Sequence, residues 1–232
     1  SGSLTGRLGN YDAAEALGYL NIPISGDEVA MRVSFLHGEH SGYGQSIPLD
    51  RELADIDRNF LRGVLLIAPE DANWDLTLSA DYFNRKGNGP IGAITAVRPG
   101  SLADAVFGFS NYIADDFYSS YTATETFENV TAQGASATFN IDLGFANLKS
   151  ITAFRSTENH ILGDVDGSPV PLLDFEQTNE QTEQITQEFQ LTGSATNFNW
   201  IAGAFYFTEA NDDLTVSGTA YTRGEINNDS FA

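Results

Sequence analysis

The chain has 232 residues, with 32 acidic side chains against 11 basic ones and a formal charge of −21. That balance excludes a nucleic-acid partner, because phosphate binding needs a basic footprint. The lack of cysteine excludes a disulfide framework and a thiolate metal site, and no apolar run reaches the length of a membrane-spanning helix.

Taken in chain order, the sequence divides into half-apolar segments of about ten residues. Strands are expected at 3–9, 14–24, 29–38, 58–68, 74–84, 128–143, 148–156, 184–192 and 198–209. Tight connections fall at 25–28, 69–73, 144–147 and 193–197. Long polar ones fall at 39–57, 85–127 and 157–183, with a loop-like tail from 210. After the first hairpin, short and long connections alternate without a break.

The segment at 74–84 has the clearest faces. Trp74, Leu76, Leu78, Ala80 and Tyr82 alternate with Asp75, Thr77, Ser79 and Asp81. Period two puts the two sets on opposite sides of a sheet. An apolar stripe with a ring at each end suits a lipid-facing strand, because amphipathic rings settle at the bilayer interfaces. Met31, Val33 and Phe35 oppose Arg32 and Ser34, and Leu61, Leu65 and Ile67 oppose Arg62. Ile185, Phe189 and Leu191 oppose Gln184, Thr186, Glu188 and Gln190, with Gln187 as a polar intruder on the apolar side. Two segments stay ambiguous: 198–209 is apolar on both faces, and Leu148 and Phe154 lie opposite Ile151.

A soluble β-sandwich with one wet face explains the alternation equally well. Length separates the two, since a bilayer-spanning strand needs roughly 9–11 residues whereas globular strands average about 5–6. The expected fold is therefore an all-β, antiparallel transmembrane β-barrel segment with short periplasmic turns and long extracellular loops. The alternative is a secreted or surface β-sandwich that binds a ligand or acts as an adhesin. An open nine-stranded sheet in hydrocarbon leaves two edges of unpaired backbone, on the order of tens of kcal/mol at several per group. The wall is thus expected to be completed by polypeptide outside residues 1–232.

Four stretches resemble the N-terminal part of the barrel of TonB-dependent outer-membrane receptors of the iron-complex type. They are Gly9-Asn10-Tyr11-Asp12 with 18–25, then 57–66 with Ala68-Pro69, then Leu148 to Arg155 with Asp166-Gly167, and finally 186–191 with 200–207. The resemblance implies part of a barrel of about twenty-two strands, with the plug and the C-terminal strands absent from this sequence. It implies an uptake receptor in the outer membrane of a Gram-negative bacterium, energised by a TonB-type complex through the missing plug. The substrate implied is a ferric siderophore or a similar scarce nutrient. Acidic loops bridged by divalent cations to lipopolysaccharide would then account for the net charge; a plain solvated surface accounts for it as well.

Candidate chemistry is sparse. Gly87-Asn88-Gly89-Pro90-Ile91-Gly92 has dinucleotide-loop spacing but lacks the helix that must follow. His37 and His40 offer no third ligand, and Asp164-Val165-Asp166-Gly167 begins like a calcium loop that no glutamate closes. No nucleophile–histidine–carboxylate set appears, so neither a catalytic site, a metal site nor a cofactor is expected. The loop 85–127 carries the candidate ligand-binding residues Tyr112, Phe117, Tyr118 and Tyr121 beside Asp115 and Asp116. Rings that grip and polar groups that orient are the usual make-up of a binding site. The competing expectation is that the rings pack the loop on itself, with a short helix near 102–107. Arg32, Arg62 and Arg155 are expected to face the lumen, toward an anionic substrate or a plug.

Overall fold

The computed structural model describes residues 1–170, 172–219 and 222–227. Its strands are β1 (Gly2–Leu8), β2 (Ala14–Ser25), β3 (Val29–His40), β4 (Gly44–Ser46), β5 (Arg51–Leu53), β6 (Ile56–Ile67), β7 (Trp74–Gly87), β8 (Ser119–Ser120), β9 (Phe127–Asp142), β10 (Asn147–Asp164), β11 (Asp174–Ala195), β12 (Phe198–Thr219) and β13 (Thr222–Asn227). A single helical turn, α1 (Leu102–Phe107), and a 3-10 turn at Phe109–Tyr112 lie between β7 and β8. Ten strands form one antiparallel sheet, ordered β1-β2-β3-β6-β7-β9-β10-β11-β12-β13. The other three, β4, β5 and β8, form a small sheet within the long loops. All nine expected segments are strands.

Two expectations fail in extent. The loop expected at 157–183 shrinks, because β10 runs 18 residues to Asp164 and β11 begins at Asp174. β12 continues 22 residues to Thr219, and β13 occupies Thr222–Asn227, where a loop-like tail was expected. Ladder pairing overrides the local pattern here: Thr182 pairs with Asn211 and Glu183 with Ala210 through backbone bonds, which do not depend on alternation of side chains. Expectations for the last five positions lie outside the described residues.

The register resolves the two ambiguous segments. Ile22, Met31, Leu65, Leu78, Ala137, Thr152, Gln187 and Tyr206 follow one another across the sheet as direct partners. This row belongs to the apolar face, as do Leu148 and Phe154, while Ile151 lies on the polar face beside Thr138 and Glu188. On β12, Ala202, Ala204 and Tyr206 take the apolar face, and Phe205 and Phe207 the polar one.

The apolar face forms a belt with a sharp upper border. Along β7 it runs from Trp74 to Tyr82, about 27 Å of strand at roughly 3.4 Å per residue, close to the ~25 Å band of a barrel tilted in a bilayer. Above it comes a polar row, His37, Asn59, Asn84, Thr131, Glu158 and Gln181. Gln187 is accounted for within the belt. Thr152 Oγ1 donates to Gln187 Oε1 at 2.5 Å, and Gln187 Nε2 donates to Ser150 Oγ at 3.0 Å. The amide satisfies itself on the neighbouring strand, which lowers the cost of placing it among apolar groups.

The described residues do not form a sandwich. No second sheet stacks on this face among the described residues, and Leu61, Phe154 and Ile185 remain 53%, 38% and 48% exposed. The only large apolar side chain wholly buried among them is Leu53, in the loops rather than the sheet.

Candidate functional site

The opposite face collects cations. Arg7, Arg32, Arg58, Arg62, Arg85, Lys149 and Arg155 share it by register. The three arginines singled out in the sequence are therefore together on one face. Arg155 Nη2 lies 3.2 Å from both Asp81 oxygens, which it reaches from β10 by crossing β9 at Gly134. A Cβ there would sit 3.0 Å from the guanidinium. Arg32 Nε donates to Asn21 Oδ1 at 2.6 Å, and its guanidinium carbon lies 5.0 Å from the centre of the Tyr19 ring. Arg62 makes no ion pair among the described residues, although Asp81 is its direct cross-strand partner.

At the end of the sheet where the long connections lie, buried polar groups knit the β3–β6 connection to the β7–β9 connection and the latter to itself. Ser46 Oγ donates to Thr122 O at 2.6 Å, Thr126 Oγ1 to Asn88 O at 2.6 Å, and Ser120 Oγ to Gly92 O. Ser46, Ser120, Thr122 and Thr126 are buried, and such groups are stable inside only when hydrogen-bonded. The glycine-rich run at 87–92 has its explanation here. A Cβ on Gly87 would lie 2.4 Å from Asp55 O, and Gly89 has φ +80°. Glycine serves close backbone packing in this cluster, and Ile94 after it forms a bridge to Ile113 rather than a helix.

This cluster sets a row of rings. β4 and β8 pair in parallel, Gln45 with Ser119 and Ser46 with Ser120. Parallel pairing brings the preceding residues out at the same end, so Tyr43 and Tyr118 meet edge to face with centroids 6.4 Å apart. Tyr11 adds its ring at 6.1 Å from Tyr43, Phe117 lies 5.9 Å from Tyr118, and His40 stacks on Tyr43 at 6.1 Å. Tyr11 is held by the Ser41 amide, which donates to its carbonyl at 2.8 Å. The rings stay in solvent: Tyr11, Tyr43, Tyr118 and Phe117 are 55%, 45%, 54% and 78% exposed. Together they form a ledge drawn from three separate connections.

The candidates of the loop 85–127 thus separate. Phe117 and Tyr118 belong to the ledge. Tyr112 and Tyr121 pair with each other at 5.8 Å, and Phe107 stacks on Phe109 at 5.8 Å, which is the loop packing on itself. Asp116 is a turn residue, accepting from the Tyr118 amide and Ser119 Oγ, each at 2.7 Å; Ser119 and Tyr118 hold its carboxyl below the usual aspartate range. Asp115 is exposed and makes no hydrogen bond among the described residues. The helix at Leu102–Phe107 forms as expected, its N-terminus capped by Ser101 Oγ accepting from the Asp104 amide at 3.2 Å. Sequence reasoning placed none of Tyr11, His40 and Tyr43 in a binding site: Tyr11 entered only in the stretch that carries the resemblance and His40 only as a metal ligand set aside. Their signal was present as Tyr11 in the Gly9–Asp12 turn and Tyr43 between two glycines.

His37 and His40 fall on opposite faces of β3. His37 Nδ1 meets Asn59 Oδ1 at 2.8 Å and His40 Nδ1 meets Ser41 O at 2.9 Å. Asp164 Oδ1 accepts from the Asp166 and Gly167 amides at 2.9 Å each, so the calcium-like stretch is a local turn. Its Oδ2 is buried and has no hydrogen bond of normal geometry among the described residues. Burial first, then the charges of Asp166 and Asp174, push this carboxyl above the usual aspartate value, against the pull of Thr122 and the Gly167 amide. The folded state therefore favours the protonated acid, so the stabilisation is full below the unfolded pKa and is lost as pH rises through the folded one. We expect Asp164→Asn, which keeps the Oδ1 acceptor, to raise the melting temperature at pH 7, with the advantage shrinking as pH falls toward 4. Melting curves across that range check it.

No family model matches the chain, and no curated protein matches it. Among solved structures, it is similar to the ferric yersiniabactin uptake receptor FyuA from Yersinia pestis, with a TM-score of 0.74 and 11% sequence identity. The likeness is one of fold. It covers 96% of this chain but 32% of that receptor, so the chain spans about a third of its length. With the register and the uncovered belt, it establishes an antiparallel sheet of the β-barrel type.

Proposed function

We propose that this chain is part of an outer-membrane uptake receptor of a Gram-negative bacterium. Its long-loop end captures a small molecule, with an iron–siderophore complex or a similar scarce nutrient as the reading favoured. Energy would come from a TonB-type complex acting through a plug, and residues 1–232 would be one part of the barrel wall around it. In that setting the cation-bearing face is the lumen, with Arg32, Arg62 and Arg155 on its wall. The belt meets lipid, and the acidic loops meet lipopolysaccharide. No catalytic role is proposed.

The observation that carries this reading is the solvent-exposed ring ledge fixed above a single-layered sheet. Its backbone supports the same view. Among the described residues, every non-glycine with positive φ is at this end: Tyr11, Asp12, Asp50 and Ala54. Tyr11 has φ 59°, an outlier for a bulky residue, and strain of this kind clusters where a side chain must be presented.

Two variants test the reading together. Tyr43→Ala should lower uptake of iron-55-loaded siderophores about tenfold in iron-limited cells, as for a central aromatic contact. Tyr11→Gly should raise stability by about 1 kcal/mol, the relief of a left-handed residue, while lowering uptake. If a null strain takes up the whole siderophore panel at the wild-type rate, the transport reading falls.

A further inference from the structure

On the cation-bearing face just below the ledge lies a cavity of about 310 Å³, lined among others by Arg7, Glu15, His40 and Arg58. Glu15 is bracketed there. Arg7 Nη1 donates to Oε1 at 2.5 Å and Arg58 Nη2 to Oε2 at 2.8 Å. Arg58 reaches it from β6 by crossing β3 at Gly38, where a Cβ would stand 3.3 Å from its Nε. One carboxylate between two guanidiniums leaves one positive charge over. Both guanidiniums are open, at 64% and 46% side-chain exposure, so donors remain for a further acceptor. Glu39 also lines the cavity, but its carboxylate turns to His37 Nε2, 3.9 Å away on the opposite face of the strand.

His40 joins this cavity to the ledge, because it lines the one and stacks on Tyr43 of the other. Arginine forks prefer planar oxyanions such as carboxylates, and rings prefer flat apolar partners. In a chain of charge −21 the general field repels anions, so a local cationic surplus beside the rings has discriminating value. We propose that ledge and cavity together form a binding site for a small ring-bearing carboxylate, its ring against Tyr43 and its anion on Arg7 and Arg58. This rests on the reading of the ledge as a capture surface. Glu15 is then a competitor built into the site: it positions both guanidiniums and occupies part of their donor capacity.

Saturation-transfer NMR on the protein in detergent micelles tests it, with benzoate, uncharged benzamide and ringless acetate as probes. Benzoate should bind about tenfold more tightly than benzamide or acetate, the discrimination of one charge-assisted contact. Glu15→Gln should strengthen benzoate binding several-fold and Arg58→Gln should weaken it about tenfold, while benzamide responds to neither. A merely structural Glu15 would give weaker binding, not stronger. If benzamide equals benzoate, or Arg58→Gln leaves benzoate unchanged, the anion site is overturned. Loss of both ring probes in Tyr43→Ala would in that case leave the ledge standing. If no ring probe binds and Tyr43→Ala changes nothing, the ledge falls with it.

Discussion

Leu78→Arg is expected to cost about 2–4 kcal/mol when the protein is refolded into phosphatidylcholine vesicles and unfolded with urea, the depth-dependent penalty of a cation at mid-bilayer. Leu78 stands in the middle row of the apolar face, between Leu65 and Ala137. Asn84→Arg lies on the same strand and face but in the polar row above the belt, and should cost about 0–1 kcal/mol. The gradient decides between lipid and protein as the cover of this face. Hydrocarbon penalises charge by depth alone, so the cost must peak at Leu78 and decline toward Trp74 and Tyr82. A protein interior penalises by local packing instead, with no such profile. A flat cost along β7 would remove the lipid-facing reading of the belt.

The belt was legible in the sequence because its physics is periodic. On β7, one solvent environment per face writes itself into alternate residues, and Trp74 to Tyr82 holds its own pattern without help from neighbours. The upper parts of β10, β11 and β12 were not legible for the converse reason. On β11 both faces there are polar, as in Thr182, Glu183 and Gln184, and on β10 the apolar Ile161 and Leu162 fall one on each face, so alternation vanishes while backbone pairing persists. Strand length beyond the belt is set by partners on adjacent strands, and a single chain segment carries no sign of them. Gln187 is a smaller instance: it reads as an error in the apolar stripe until Thr152 and Ser150 are placed beside it by register.

The site was half legible. Loop 85–127 announces itself by its rings, and Phe117 and Tyr118 do belong to the ledge. What divides them from Tyr112 and Tyr121 is the parallel pairing of β4 with β8, a contact between two- and three-residue strands some seventy positions apart. Neither strand is long enough to show a period. The arginines were legible as a set, since each alternates with apolar residues. Their partners were not, because Arg155 and Arg58 each cross an intervening strand at a glycine. A glycine in a strand signals a bulge or a close approach but does not say what approaches.

Gly42→Val should dismantle the ledge while sparing the sheet. A Cβ at Gly42 would lie 2.5 Å from Leu53 O and 2.9 Å from Leu53 N, both backbone atoms that no rotamer change can move. Leu53 is wholly buried and ends β5, which pairs with β4, and β4 in turn carries β8. Overpacking of this kind costs about 1–3 kcal/mol, comparable with the few hydrogen bonds that hold so small a sheet at roughly 1 kcal/mol each. The displacement should pass from β5 through β4 to Tyr43 and Tyr118, lowering ring-probe binding by about tenfold or more. Amide exchange in β6, β7 and β9 should stay at wild-type rates, because the large sheet does not depend on the loop cluster for its pairing. Gly6→Val is the matched control: a Cβ there meets nothing within 4 Å, and binding should be unaffected. Retained binding in Gly42→Val would mean that the rings of Tyr43 and Tyr118 are not positioned by the β4–β8 pair, and the structural basis of the ledge would be lost.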